Sequence, residues 1–387
     1  MRGFLMYYIK ADAFYYPTEV KPAGYLQVQN GCFGEWVDSI EEGKEVLDYT
    51  GMSIAPGLVD THIHGFAGHD VMDNSAEGLK EMSKALLSTG VTSFLPTALT
   101  ASFETLEDIC RTIASVKGNE DGAKIQGIFF EGPFFTEEHK GAQNPDYMRD
   151  PSLEEFATWQ KAAGGLLTKI AVAPEREGVS HFISELTKQG VVVALGHSNA
   201  TYAEAKAAVD AGADVWVHAY NGMRGLNHRE PGMVGAVLDL DGTYAELICD
   251  GHHVHPAACH ILMQHKGCEH VALITDCMSA GGRENGDYML GEFPVVVKDG
   301  TVRLKDGGNL AGSILELKDA VQNIINWGIA TPHEAIQMAT QVAAKSAKID
   351  AYCGRLEKGR AADFIVLDED FNLKATYVDG TCGYQAD

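Results

Sequence analysis

Hydrophobic and polar positions follow two rhythms along this chain, and the rhythm changes near residue 53 and again near residue 350. Residues 1–53 hold short alternating segments broken by glycine, such as YLQVQNGCFGEW and EVLDYTGMSIAPG. The stretch from 354 onward, GRLEKGRAADFIVLDEDFNLKATYVDG, behaves alike. Alternation with period two around tight turns predicts short strands. Two β-rich ends around a different middle can pair with each other. The reading is therefore a small β-sandwich domain built from residues 1–53 and 350–387, flanking a central domain at 54–349.

The middle alternates regularly. Apolar runs lie at 54–60, 91–96, 125–130, 169–173, 191–196, 214–218, 244–249 and 270–275. Between them stand segments with helical spacing, among them SAEGLKEMSKALLSTG, SFETLEDICRTIASV, SHFISELTKQG and ATYAEAKAAVDAG. Several end in glycine, as helix C-termini do. Strand and helix repeated eight times predict a (β/α)8 TIM-like barrel. A doubly wound sheet would need fewer strands or a longer chain. Residues 283–310 read as a β-hairpin insertion, and no role follows from their sequence.

In such a barrel the chemistry gathers where the strands end. His62 and His64 follow the first run in DTHIHG, and Glu131 follows the third in FFEGP. His197 follows the fifth in LGHSNATY, His218 the sixth in WVHAYNGM, and Asp276 the eighth in LITDCM. Residues two apart on a strand share a face, so both histidines of HxH can point into the barrel mouth. His197 and His218 are one unit apart and belong on neighbouring strands. Each has an ordinary reading: a hydrogen-bonded structural histidine, a turn residue at Glu131, a helix N-cap at Asp276. The same register at five strand ends outweighs these readings taken one by one. Imidazoles and carboxylates suit Zn²⁺ or Fe²⁺. The cysteines at 32, 110, 249, 259, 268, 277, 353 and 382 form no CxxC pair, which argues against a thiolate metal site and a disulfide framework.

Charge narrows the partners. Thirty Lys and Arg stand against 54 Asp and Glu, a formal net charge of −24. Such a chain is unsuited to non-specific nucleic-acid binding or to anionic membranes. An anionic small molecule needs only a local cluster of cations. MRGLNHRE provides one in Arg224, His228 and Arg229, and a guanidinium can grip phosphate with two hydrogen bonds. Its ordinary alternative is a surface salt bridge. No apolar run reaches the length of about 18–20 residues that spans a bilayer. The opening MRGFLMYYIKADAFYY lacks the pattern of a secretory leader, so a cytoplasmic location is expected.

On these residues the chain resembles the amidohydrolase superfamily and, within it, the N-acetylglucosamine-6-phosphate deacetylase family. The resemblance runs through APGLVDTHIHG, GVTSFLPT, FFEGPFF, KGAQNP, VAPE, LGHSNATYAEA, HAYNGM, HREPG, CDGHHVHP, LITDCM, LAGS and GRLEKGRAADFIVLD. Most other superfamily members carry a carboxylated lysine where Glu131 stands. The resemblance implies metal-dependent hydrolysis of an acetamide on a phosphosugar. Glu131, His197 and His218 would be ligands of one divalent metal. His62 and His64 would help hold a second, and Asp276 would be the general base and acid. The metal would be zinc foremost, with iron, manganese or cobalt as alternatives. Gln143 would polarise or orient the acetyl carbonyl, since a carboxamide cannot carry a proton. Asn221 and Gly222 would contact the sugar phosphate, Arg229 and His253 would bind the phosphate, and Ala311, Gly312 and Ser313 would lie near the sugar. A homodimer is implied, with the partner subunit completing the phosphate site. Two other readings compete: a deacetylase or cyclic-amide hydrolase of different substrate, and a silent sugar-phosphate-binding protein. The presence of every expected catalytic side chain disfavours the silent protein.

Overall fold

The first apolar run, read as one strand at 54–60, is divided in the computed structural model, which describes residues 6–386. Ile54–Pro56 complete a strand of the end domain, Val46–Pro56, and the first barrel strand, β1, is Leu58–Ile63. Gly57 lies between them because the chain passes against Thr92: a Cβ there would sit 2.0 Å from the threonine Oγ1. The absence of a leader was read partly from residues 1–5, which lie outside the described residues.

The barrel follows from the alternation. After β1 come β2 (Val91–Ala98), β3 (Ile128–Phe134), β4 (Leu167–Val172), β5 (Val192–Leu195), β6 (Val215–Trp216), β7 (Tyr244–Ile248) and β8 (Val271–Ile274). All pair in parallel in chain order. Cys277, just past β8, bridges back to Ile63 and closes the ring. The helices that follow the strands are α1 (Ala76–Leu86), α2 (Phe103–Val116), α3 (Leu153–Ala162), α4 (Val179–Lys188), α5 (Tyr202–Asp210), α6 (Gly232–Asp239), α7 (Pro256–Lys266) and α8 (Leu317–Asn326). Ser75, Ser102, Ser152 and Thr201 cap the N-termini of α1, α2, α3 and α5 by accepting from backbone N–H groups.

A parallel sheet is covered on both faces, which is why its strands read as continuous apolar runs. Val59, Leu95, Phe129, Ala171, Val192 and Val215 fill the barrel interior. Phe94, Phe130, Ile170, Val193 and Trp216 face the helices. Each large side chain so buried stabilises the fold by about 1.5–3 kcal/mol. Three carboxyl or ammonium side chains also lie inside these strands with no exposure: Asp60 on β1, Lys169 on β4 and Glu246 on β7.

The chain ends meet in one eight-stranded sheet. Met6–Tyr15 pairs with Gly24–Gln29 on one side and in parallel with Val46–Pro56 on the other. Val46–Pro56 in turn pairs with Phe364–Leu367, Ile54 opposite Val366. Ile9, Phe14, Phe33, Ile54, Phe364 and Val366 share one core. The Tyr7 hydroxyl donates to the carbonyl of Gly380 at 2.6 Å. Lys124 ties the barrel to this domain through Asp363 at 2.9 Å.

The insertion at 283–310 is more than a hairpin. It forms three antiparallel strands, Gly286–Leu290, Phe293–Lys298 and Thr301–Leu304. A second reversal at Asp299–Gly300, both at positive φ, adds the third strand. Leu290, which ends the first of these strands, packs with Leu99 and Met278 beside the barrel mouth. Among the described residues no helix is long and apolar enough to cross a membrane.

Candidate active site and metal centre

Strand register delivers the site. His62 lies within β1 and Glu131 within β3, while His64, His197, His218 and Asp276 lie one or two residues beyond β1, β5, β6 and β8. Three of these leave the strands through left-handed backbone: φ is 44° at His197, 29° at His218 and 50° at Asp276. Non-glycine residues reach this region at a cost of about 1–3 kcal/mol each. The strain turns each side chain back over the barrel axis.

Six side chains converge there. Glu131 Oε1 lies 3.0 Å from His197 Nε2 and 2.9 Å from His218 Nε2, and the two nitrogens are 3.1 Å apart. The other carboxylate oxygen, Oε2, lies 3.1 Å from His64 Nε2. Asp276 Oδ1 lies 3.0 Å from His64 Nε2 and 3.4 Å from His62 Nε2. Those two nitrogens stand 3.3 Å apart. Two donor sets result, Glu131–His197–His218 and His62–His64–Glu131–Asp276, each with its ligand atoms within 4.8 Å of one another. Glu131 belongs to both.

The far side of each ring decides what the near side offers. His197 Nδ1 lies 2.9 Å from the carbonyl of His139, His218 Nδ1 3.0 Å from that of Asn221, and His64 Nδ1 3.0 Å from that of Thr97. His62 Nδ1 lies 3.0 Å from Glu246 Oε2. Carbonyl and carboxylate oxygens only accept, so every Nδ1 carries the hydrogen. Each neutral ring then presents a bare Nε2 lone pair to the centre. Four lone pairs and two carboxylates facing one another without hydrogens are a cation site. The charges agree: the buried carboxyl groups of Asp60, Glu131, Asp276 and Glu246 around His62 outnumber the one ammonium beside them, Lys169. These residues fit a divalent metal of the zinc type, with nitrogen and oxygen donors.

Without a cation, protons answer the same field. Burial disfavours charge on His62, but Glu246, Glu131 and Asp276 outweigh it and raise the ring to about 9. His64 is raised in the same way, by Asp276 and Glu131 against its burial. Burial alone would raise Glu131; His62, His197 and His218 hold it well below the carboxylate range. Asp276 is lowered by His62 and His64 against its burial.

Above this floor lies a cavity of about 130 Å³. Of the residues expected near substrate, Gln143, Asn221, Gly222, His253, Ala311 and Gly312 line it. Gln143 accepts from the Thr100 N–H at 2.8 Å and donates to Glu131 Oε2 at 2.7 Å. Gly222 has φ 59°, and a Cβ there would sit 2.9 Å from His197 Nδ1. His253 Nδ1 is held by Asp250 at 2.6 Å. Ser313 is not in the wall. Its hydroxyl donates to the Thr275 carbonyl at 2.6 Å and its N–H to the Asp276 carbonyl at 2.8 Å, so it braces the turn that carries Asp276. Arg229 is exposed on the loop between β6 and α6 and does not line the cavity.

Three supporting residues were given no role by the sequence, although Glu175 closes the VAPE motif. Glu246 and Lys169 form a buried pair behind His62. Glu175 accepts from the Thr136 and Ser198 hydroxyls and the Asn199 N–H at 2.6, 2.7 and 2.8 Å, joining the loops after β3 and β5. The signal for the pair was present in KIAVA and YAELIC, each an apolar strand with one charge.

Comparison with known proteins agrees with this geometry. The model of the amidohydrolase family matches residues 53–382. An N-acetylglucosamine-6-phosphate deacetylase of Vibrio furnissii is 42% identical over 337 residues, covering 87% of this chain and 84% of that protein. An N-acetylgalactosamine-6-phosphate deacetylase of Escherichia coli O157:H7 is 41% identical over 331 residues, covering 84% and 86%. The structure of a mutant N-acetyl-D-glucosamine-6-phosphate deacetylase from Mycobacterium smegmatis, in complex with N-acetyl-D-glucosamine-6-phosphate, superposes with a TM-score of 0.92 at 29% identity, covering 98% of this chain and 99% of that one. From its closed barrel, its metal-competent strand ends and these relatives, the chain belongs to the amidohydrolase family.

Proposed function

We propose that this protein hydrolyses the acetamide of N-acetylglucosamine 6-phosphate to acetate and glucosamine 6-phosphate. The observation that carries the reading is the convergence of four bare imidazole nitrogens and two carboxylates under a cavity walled by Asn221, Gly222 and His253. The 42% identical relative bears the name of this activity.

Glu131, His197 and His218 would hold one divalent cation, zinc foremost. His62, His64 and Asp276, with the second oxygen of Glu131, would hold another. Bound there, a divalent cation supplies Lewis acidity and lowers the pKa of water towards neutrality. Asp276 is kept ionised, so it accepts a proton as water oxygen bonds to the acetyl carbon. It then returns that proton to the amide nitrogen as the carbon–nitrogen bond breaks, because an unprotonated amine leaves poorly. Gln143 uses one amide hydrogen on Glu131 and has a second for the acetyl carbonyl. Asn221 and Gly222 orient the sugar, with Ala311 and Gly312 beside it.

His253 and Arg229 would bind the phosphate. Arg229 is exposed and stands apart from its own chain's cavity, which supports a homodimer in which Arg229 reaches the cavity of the partner subunit. Eight unpaired cysteines fit a reducing cytoplasm.

The N-acetylgalactosamine-6-phosphate relative is nearly as similar, and this favours the galactosamine epimer as a second substrate. Acetate release from both sugar phosphates and from their unphosphorylated forms tests the reading. The assay is run before and after chelation and after return of single metals. Metal-dependent release from a phosphosugar is expected. Folded, metal-loaded protein that releases no acetate from either phosphosugar overturns it.

A further inference from the structure

Three of the four imidazoles in the centre are oriented by backbone carbonyls, which no side-chain substitution removes. His62 is the exception: its Nδ1 depends on the carboxylate of Glu246. We propose that the buried Glu246–Lys169 pair positions His62 and thereby decides whether the site retains a second cation. The inference rests on the metal-dependent reading above.

The surroundings of His62 form a box with no exposed member. Glu246 Oε2 accepts from His62 Nδ1 and lies 3.3 Å from the His218 N–H. Its other oxygen pairs with the Lys169 ammonium. That ammonium sits 4.0 Å from the centre of the Phe129 ring, and the same ring meets His62 edge-on at 4.9 Å. A carboxylate behind an imidazole fixes its tautomer and strengthens the donor nitrogen opposite. Lys169 balances the charge of Glu246 in the barrel interior, where a lone carboxylate would be costly. The two donor sets therefore differ in kind. Glu131, His197 and His218 do not use this pair as an orienter of either ring. His62, His64 and Asp276 do, through His62. Glu246 and Lys169 are positioning residues, since neither faces the cavity.

The test uses the full chain. Glu246→Leu alone would leave Lys169 as an unpaired buried charge, so the principal variant is Glu246→Leu with Lys169→Met, which removes both charges and the acceptor behind His62. Zinc per chain is measured by mass spectrometry after reconstitution. Cobalt(II) titration followed by visible absorption resolves the two affinities. The unaltered protein should hold two zinc ions. The double variant should hold one with unchanged affinity and bind the second about 10- to 100-fold more weakly. Glu246→Asp keeps both charges but withdraws the carboxylate from His62, and it should show the same selective loss if the double variant does not fold.

Two cations held with unaltered affinities in the variants would overturn the proposal. So would equal weakening of both, which is what a merely structural role predicts, or a single cation in the unaltered protein. Acetate release is scored separately. An unaltered protein that binds two cations yet releases no acetate overturns the deacetylase reading and leaves this proposal standing.

Discussion

At the floor of the cavity, Glu131, His62, His64, His197, His218 and Asp276 hang from strands or from the first residues beyond them, and all are buried. The wall opposite, Asn221 and Gly222 with Leu310 to Gly312, is loop, and the first of these loops grows more exposed as it runs on past the cavity towards Arg229. The floor must hold lone pairs within tenths of an ångström. The closed barrel provides that accuracy, because each strand is hydrogen-bonded on both sides. The wall must admit and release a sugar, which loops can do. A loop can also be finished by a second chain, whereas a barrel interior cannot.

That contrast predicts unequal consequences for substitutions. Asp276→Asn on the floor should lower kcat by about 10²- to 10⁴-fold, the usual worth of general acid–base catalysis. The cation of Glu131, His197 and His218 should remain, as metal analysis would show. Full activity in the metal-loaded variant would remove Asp276 from the chemistry. Arg229→Ala, on the exposed loop beyond the wall, should cost about 10- to 100-fold in kcat/KM for the phosphorylated substrate, the range of one charge-assisted hydrogen bond or two. The unphosphorylated sugar should be unaffected. Mixed and refolded Arg229→Ala and Asp276→Asn chains should recover activity that neither has alone. No recovery, in mixtures shown to exchange subunits, would place the arginine and the cavity in the same chain.

Smaller effects sharpen the boundary between floor and wall. Gly222→Ala puts a methyl group on the His197 ring at positive φ. It should destabilise the protein by about 1–3 kcal/mol and weaken cation binding, both measurable by thermal unfolding with and without zinc. An unchanged zinc affinity would separate Gly222 from the metal centre. The pH dependence of the metal-free protein concerns stability alone. His62 is raised to about 9 in the folded state, against about 6.5 when unfolded. A raised histidine stabilises fully below the unfolded value and loses that contribution as pH rises through the folded one. Melting temperature should therefore fall between about pH 6.5 and 9 after chelation. With zinc bound, the cation takes the place of the proton and the decline should vanish. A decline of equal size in both states would assign it to another group.

The barrel was readable because its parallel strands are apolar on both faces and recur with a helix between them. The donor residues were readable because each stands near the C-terminal end of an apolar run, although the structure places His62 and Glu131 within their strands and the other four one or two residues beyond. The end of β1 was harder. Ile54–Pro56 and Leu58–Ile63 form one apolar stretch, and only the approach of Thr92 to Gly57 shows where one sheet hands over to the next. The insertion holds one strand more than the hairpin expected: Asp299–Gly300, itself a strong hairpin signal, joins Phe293–Lys298 to Thr301–Leu304, and Gly286–Leu290 pairs on the other side. Lys169 and Glu246 stand 77 residues apart, and nothing local joins them. Ser313 was expected near the sugar from its motif, yet its hydroxyl faces the Thr275 carbonyl.

Sequence by itself determined what periodicity and composition carry: the eight repeats, the pairing of two β-rich ends, the acidic surface and the donor types at the strand ends. These are local properties, decided within a few residues of each position. Tertiary structure decided which nitrogen of each histidine faces inward, that Glu131 serves both donor sets, that Lys169 neutralises Glu246 behind His62, and that Arg229 stands away from its own cavity. Each of these depends on atoms from different strands meeting around one axis, and closure of the barrel is what brings them within hydrogen-bonding reach.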